Sequence, residues 1–218
     1  MDAKPFSFEI IVVDDGSRDN TSRVVDAIAR EDERVRLISN QVNRGKGFAV
    51  RQGVMASRGD VILFSDADLS TPIEEFEKLL PYLSDFDLVI ASRSLPDSQV
   101  LIHQPRYREL MGRIFNAFVQ AMLVRGFIDT QCGFKLMTRQ AAAAIFERAR
   151  IDSFSFDVEI ILIAKRLGFR VKDVPVRWID SRGSRVHPIK DSAHMLLDLF
   201  KIKLYDFLGY YQGQIERE

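Results

Sequence analysis

Short apolar runs recur along the chain, and most of them end in an acidic or glycine-bearing turn. Phe8 to Val13 is rich in β-branched residues and breaks at Asp14-Asp15-Gly16-Ser17, the pattern of a strand entering a turn. From Thr21 to about Glu31, Val24, Val25 and Ile28 fall at helical spacing behind a cap at Asn20 or Thr21. Val35 to Ser39 predicts a second strand, and a helix to about Ser57 follows the glycine-rich turn Asn43-Arg44-Gly45-Lys46-Gly47. Val61-Ile62-Leu63-Phe64 then reads as a buried strand of a parallel sheet. It delivers Ser65-Asp66-Ala67-Asp68, and Ser70-Thr71-Pro72 starts the next helix. The order β-α-β-α-β predicts an α/β fold of the doubly wound, nucleotide-binding kind, with ligands at the carboxyl ends of the strands. The dinucleotide fingerprint G-x-G-x-x-G is absent, and Gly45-Lys46-Gly47 lacks the ending of a P-loop.

The second half continues the alternation. A helix is predicted from Pro72 to Leu83, a strand from Asp87 to Ala91 ending in Ser92-Arg93, and a polar loop over 94–105. An apolar helix follows from Arg106 to about Val124, then a strand at Leu136-Met137 and an alanine-rich helix after Arg139. Phe154 to Leu167 predicts another helix opened by Asp157 and Glu159, Arg170 to Trp178 a strand, and Asp180 to Pro188 a basic loop. The segment from Asp191 to about Leu208 is amphipathic, with Tyr205, Tyr210 and Tyr211 beside it. It suits either a core-packed helix or one lying in a membrane interface. The expected division is one domain over 1–189 and a C-terminal amphipathic helix with its tail over 190–218.

Composition narrows the partners. Over 218 residues the formal net charge is +0, so no overall basic field points to nucleic acid, and phosphate recognition falls to local arginines. The single cysteine, Cys132, forms no intramolecular disulfide and fits a reducing compartment as a small buried hydrophobe. Met1-Asp2-Ala3-Lys4 does not open a secretory signal, and no uncharged run approaches the roughly 18 residues that span a bilayer.

Asp66 and Asp68 carry the strongest chemical signal. On an extended backbone, side chains at i and i+2 point to one side. Two hard oxygen donors there suit Mg²⁺ or Mn²⁺, with substrate phosphate completing the shell. Taken alone, the pair reads more readily as a solvated turn capping a helix.

Four blocks together resemble the family 2 glycosyltransferases of GT-A fold: Ile11-Val12-Val13-Asp14-Asp15-Gly16-Ser17, Asn43-Arg44-Gly45-Lys46-Gly47, Ser65-Asp66-Ala67-Asp68 and Asp129-Thr130-Gln131-Cys132-Gly133-Phe134-Lys135. Within that family the chain is most similar to transferases that move glucose onto dolichyl or other polyprenyl phosphates, over about Phe8 to Leu208. The resemblance implies a GT-A, Rossmann-like sheet. It implies that Asp15 binds uridine with Val13 lining its pocket, and that Asp68 and Asp66 hold the divalent metal while Ala67 meets the nucleotide. It places Lys46 near the nucleotide or sugar, Arg93 near phosphate or acceptor, and Ser184-Arg185 against the pyrophosphate. One departure stands out. The family opens with an earlier strand and a Pro-Ala-Tyr-Asn-Glu-type turn, which Met1 to Pro5 does not match, so exposed sheet edges are expected.

The reaction implied is transfer of glucose from UDP-glucose to a polyisoprenyl phosphate, peripherally at the cytoplasmic face of a membrane. The acceptor phosphate has a second pKa of about 6, so it attacks without losing a proton. Arg93, Arg106, Arg108 and Arg113 are candidates to grip it. A neutral hydroxyl acceptor would instead need a base, for which Asp157 and then Asp129 are the candidates. Asp157 also suits a plain acid at a helix start. Mannosyl transfer from GDP-mannose and a non-catalytic nucleotide-binding scaffold are the alternatives.

Overall fold

The computed structural model describes residues 6–102, 105–180 and 188–213. Strands β1 (Ile10–Asp14) and β2 (Val35–Ser39) pair in parallel and are joined by helix α1 (Thr21–Glu31). Helix α2 (Lys46–Ala56) leads to β3 (Val61–Ser65), which belongs to a four-stranded sheet of order β3–β6–β4–β7. Here β4 is Leu88–Ser92, β6 Phe134–Thr138 and β7 Val171–Pro175. β6 lies antiparallel between β3 and β4, whereas β4 and β7 run parallel. Strands β5 (Gln99–Ile102) and β8 (Arg177–Ile179) form a separate parallel pair. Among the described residues no backbone ladder joins β1 to β3. Helix α2 packs on both strands and ties the two sheets together. At Gly53 it comes so near that a Cβ would lie 3.2 Å from the Val13 side chain.

The alternation of the strands sorts the core into two layers. On β4, Leu88 and Ile90 face one apolar cluster, and Val89 and Ala91 face the other. The larger cluster is covered by α5 (Arg139–Arg148) and α6 (Phe156–Arg166), and the smaller one takes in Leu79, Phe134 and Trp178. The terminal helix α7 (Pro188–Phe207) sends Leu199 and Ile202 into the larger cluster but leaves Leu197, Phe200, Leu204 and Phe207 exposed. Beside it lies α4 (Arg106–Met122), which buries Phe115 and Val119 and exposes Leu110, Ile114 and Phe118. Both helices are therefore apolar on two faces, one turned to the core and one outward.

Three local expectations change. The predicted helix Pro72 to Leu83 is a short helix α3 (Glu75–Leu79) followed by a 3₁₀ turn over Leu80–Ser84, because Pro81 has no N–H for an α-helical ladder. The strand Arg170 to Trp178 divides after Pro175, which likewise cannot donate. Val176 then bridges the sheets, its N–H 3.3 Å from the Ser92 carbonyl and its carbonyl taking the Gln99 N–H at 3.1 Å. Residues 99–102, expected in a loop, thereby acquire β8 as a partner.

Candidate active site

The carboxyl ends of β1 and β3 meet at the start of α2. Asp15 accepts from the backbone N–H of Gly45 at 2.7 Å and of Arg44 at 3.0 Å, and from Asn40 Nδ2 at 2.9 Å. It thus fixes the glycine-rich turn while facing an open cleft of about 460 Å³ that Gly16, Ser17, Arg18, Asp19 and Asn43 also line. Neighbouring Asp14 is buried and serves its own turn, accepting from the Ser17 N–H at 3.0 Å and from the Ser22 hydroxyl. Those two serines hold its carboxyl below the usual pKa, against a small opposing effect of burial. Gly45 has φ +106°, a conformation L side chains rarely adopt, and a Cβ there would lie 2.3 Å from the Asp152 carbonyl oxygen. The turn is wedged against the segment before α6 by these glycines, and the Gly47 N–H donates to the same Asp152 carbonyl at 2.8 Å.

Lys46, the first residue of α2, reaches across to Asp66. Its Nζ lies 2.8 Å from Asp66 Oδ1 and 3.0 Å from Oδ2. The rings of Phe64 and Phe156 stand 5.5 and 5.9 Å from the ammonium. Burial pulls the Lys46 pKa down, but the carboxylates of Asp157, Asp66 and Asp68 outweigh it and leave the pKa above its ordinary value.

Asp66 rests directly on Gly133. A Cβ on Gly133 would sit 1.9 Å from Asp66 Oδ2, and the Asp66 N–H donates to the Gly133 carbonyl at 2.8 Å. Ala67 and Asp68 are exposed at the turn, where Asp68 Oδ1 accepts the Ser70 N–H at 2.9 Å. Leu69 has φ 52° and is the one non-glycine residue with positive φ among the described residues, so the acidic turn is held in a strained conformation. Among the described residues no group of three or more His, Cys, Asp and Glu side chains forms a metal cluster. Asp66 and Asp68 nevertheless fit a divalent cation of the Mg²⁺ or Mn²⁺ kind: two hard oxygen donors, one of them in a cradle that only glycine leaves open, with the remaining ligands left to phosphate and water. Asp68 thus serves its own turn and caps no helix, since α3 begins only at Glu75.

The two candidate bases lie deeper. Asp129 is buried and accepts from Arg93 three times: from Nε at 2.7 Å, Nη2 at 2.8 Å and the backbone N–H at 2.9 Å. Burial raises the Asp129 pKa, but the Arg93 guanidinium outweighs it and the carboxyl stands below its ordinary range. Arg93 is stacked 5.3 Å from the Trp178 ring; burial pulls the guanidinium pKa down, but Asp129 outweighs it and holds that pKa above its ordinary value. Asp157 pairs with Lys135 in the core, where the two side chains are 3% and 1% exposed. Lys135 also donates to the Cys132 carbonyl at 2.7 Å. Burial pushes the Asp157 pKa up against the pull of Lys135 and Lys46.

Lys46, Asp66, Asp68 and Asp157 therefore form one charged cluster, with Arg93 and Asp129 beside it. Val13 sits in β1 against Gly53, and Arg106 is the first residue of α4. Ser184 and Arg185, with Arg182 and His187 of the same loop, lie outside the described residues. Three contributors had no role assigned from the sequence: Gly133 under Asp66, Asp152 beneath the glycine-rich turn, and Lys135 opposite Asp157. A lysine inside the apolar strand Phe134-Lys135-Leu136-Met137 was the visible signal for the last, because a buried ammonium needs a carboxylate partner.

Glu159, the other acid at the start of α6, is fully buried and accepts from the N–H groups of Arg150 at 2.8 Å and Ile151 at 2.9 Å and from the Tyr211 hydroxyl at 2.7 Å. It fastens Tyr211, just beyond α7, to the core.

Comparison with known proteins agrees with this geometry. The family model described as glycosyl transferase family 2 matches residues 2–146. A dolichyl-phosphate beta-glucosyltransferase of Dictyostelium discoideum is 37% identical over 212 residues, covering 94% of this chain and 65% of its own length. The mouse protein of the same name is 38% identical over 213 residues, covering 94% of this chain and 66% of its own. This chain thus spans just under two thirds of those relatives. Among solved structures, glucosyl-3-phosphoglycerate synthase of Mycobacterium tuberculosis with Mn²⁺, UDP-glucose and phosphoglyceric acid superposes with TM-score 0.60 at 23% identity, over 89% of this chain and 66% of that one. Mannosyl-3-phosphoglycerate synthase of Rubrobacter xylanophilus gives 0.64 at 20% identity, over 98% and 68%. At such identities the likeness establishes a shared GT-A fold. The family model covers most of the chain, and its acidic pair, glycine-rich turn and strand-end aspartates occupy one site: the chain belongs to glycosyl transferase family 2.

Proposed function

We propose that this chain transfers glucose from UDP-glucose to a polyisoprenyl phosphate with inversion, dependent on Mg²⁺ or Mn²⁺. The observation that carries the reading is the fate of Asp129 and Asp157. Each is a buried carboxylate committed to a cation, Asp129 to the part-buried Arg93 and Asp157 to the buried Lys135, which leaves neither free to collect a proton. Such a site suits an acceptor that arrives deprotonated, as a phosphate monoester does near pH 7. The names of the relatives agree with a glucosyl donor and a dolichyl phosphate acceptor, and a solved neighbour contains Mn²⁺ with UDP-glucose.

On this reading Asp15 and Val13 receive the uridine, Ala67 contacts the nucleotide through its backbone, and Asp66 and Asp68 hold the divalent ion. Bound there, the ion would neutralise the departing diphosphate. An acceptor phosphate oxygen bonds to the anomeric carbon as the bond from that carbon to the UDP oxygen breaks. No proton moves in this step. Arg93, steadied by Asp129 and Trp178, presents its guanidinium to a phosphate, and Arg106, Ser184 and Arg185 complete the anion contacts. Asp129 and Asp157 act as positioning residues.

The lipid end of the acceptor calls for a membrane surface. The outward faces of α4 and α7, with Leu110, Ile114 and Phe118 beside Leu197, Phe200, Leu204 and Phe207, offer an apolar area for lying on one. No helix among the described residues is long and apolar enough to cross it. The unpaired Cys132 fits the cytoplasmic face.

The test is turnover of UDP-glucose against a short polyprenyl phosphate, with GDP-mannose and a neutral sugar acceptor as controls. Glucosyl phosphate product, lost in Asp68→Ala, is expected. Preference for GDP-mannose or for the hydroxyl acceptor, UDP binding without turnover, or metal-independent turnover by Asp68→Ala would each overturn the assignment.

A further inference from the structure

Lys46 already sits where the divalent ion of the proposed reaction has to bind. Its ammonium straddles the Asp66 carboxylate, at 2.8 Å from one oxygen and 3.0 Å from the other. Both oxygens are engaged, so an incoming cation meets a positive charge on the ligand it needs. One of the two has to move, and the structure distinguishes which.

Asp66 is held at both ends. Its N–H is bonded to the Gly133 carbonyl at 2.8 Å, and its carboxyl group presses on Gly133 so closely that a Cβ there would be 1.9 Å away. It follows the last residue of β3, paired across to β6 through Ser65 and Phe134. Lys46 is fixed at its backbone end, between Gly45 and Gly47, each packed on a carbonyl of the segment before α6. Its ammonium, by contrast, ends a four-carbon stem with rotatable bonds. It has no second carboxylate within hydrogen-bond distance among the described residues, only the faces of Phe64 and Phe156 at 5.5 and 5.9 Å.

The geometry points to Lys46 as a gating cation. It neutralises Asp66 until a nucleoside diphosphate arrives, then passes to the diphosphate oxygens while the divalent ion takes the carboxylate. The consequence is thermodynamic. Metal alone competes with Lys46 and binds weakly, whereas metal with nucleotide binds after Lys46 has found a new anion. Each ligand therefore raises the affinity of the other by the same factor. This inference rests on the metal assignment of Asp66 and Asp68 made above, and it adds an order to binding that the assignment does not contain.

The test is Mn²⁺ titration of the full chain, followed by the electron paramagnetic resonance signal of free Mn²⁺, with and without saturating UDP. Lys46→Met is expected to bind Mn²⁺ at least tenfold more tightly than the parent protein when UDP is absent, and to lose at least tenfold of the enhancement that UDP confers. Lys46→Arg keeps a cation on the carboxylate and is expected to behave as the parent. The opposite responses of these two variants, both checked for native circular dichroism, separate gating from a general loss of fold. Should Lys46→Met fail that check, Lys46→Gln is the charge-removing variant to use. Mn²⁺ affinity that is unchanged or weakened by the charge-removing variant without UDP overturns the gate alone. Absence of Mn²⁺ binding by the parent protein even with UDP overturns the metal assignment itself, and the gate with it.

Discussion

The first two strands and the four-stranded sheet solve the same problem by different means. In β4 four consecutive apolar side chains, Leu88 to Ala91, have no exposure at all. In β1 every apolar residue is at least partly exposed, Ile10 at 39%, and α1 has no buried residue. Among the described residues β1 and β3 share no backbone ladder and α2 packs across both, which accounts for that difference. What holds the first region together is polar: Asp15 on the glycine-rich turn, Asp14 on its serines, and Glu9 ion-paired with Arg36 at 2.9 Å and accepting the Arg58 N–H. The residues proposed to receive uridine are therefore carried by the less buried region, and the metal carboxylates by the edge of the better buried one. Local opening free energies follow buried apolar contact, so the nucleotide side is expected to open first and to gain most from ligand.

The sharpest test of that contrast compares truncations to alanine in the two regions. Ile163 in α6 is wholly buried, and Ile163→Ala is expected to cost about 2–5 kcal/mol in urea unfolding. Val24 in α1 is 55% exposed, and Val24→Ala is expected to stay within about 0.5 kcal/mol. Similar losses at the two sites would break the distinction.

A smaller effect is expected from the polar clamp. Asp15→Ala removes a carboxylate that binds two N–H groups and the Asn40 amide. Hydrogen bonds to charged groups are worth about 1.5–3 kcal/mol, and partial exposure favours the lower end. Amide exchange should accelerate in the turn around Arg44 and Gly45 and in the first turn of α2, with β4 unaffected. Acceleration spread evenly through the protein would mean that the two regions unfold as one.

The same contrast explains what the sequence made legible. β1, β2, β3 and β4 announce themselves as apolar runs of four or five residues closed by a turn, and their bounds hold to within two residues. The acidic pair and the glycine-rich turn are local in sequence, and so is their convergence at strand ends. β6 was harder, because periodicity does not encode strand order or direction, and its antiparallel place between β3 and β4 joins it to positions about 70 residues away in the first and over 40 in the second. β5 was missed because Gln99 to Ile102 pairs only with a three-residue partner and stays mostly exposed. For Asp157 the sequence displays an acid at a helix start but not its partner Lys135, folded against it from β6.

Acid should move the two regions in opposite directions, and this is the finest distinction between them. The Ser17 and Ser22 bonds hold Asp14 below its ordinary pKa, and the bonds from Arg58 and Arg36 do the same for Glu9 against opposing burial. A carboxyl depressed in the folded state adds stability that is complete above its unfolded pKa, about 3.9 for Asp and 4.3 for Glu. That stability is lost as pH falls through the folded pKa. In α6, burial raises Asp157 and Glu159 above their ordinary values, despite Lys135 at the first and Tyr211 at the second. Their contribution has the reverse sign: it is fully present below the unfolded pKa and lost as pH rises through the folded one. Between pH 5 and 3, amides of β1 and β2 should therefore lose exchange protection while those of α6 keep theirs. Asp14→Asn carries no titrating carboxyl, so its β1 amides should show a shallower pH dependence than the parent, with Glu9 supplying the remainder. Parallel loss of protection in β1 and α6 would show that acid acts on the molecule as a whole rather than through these named groups.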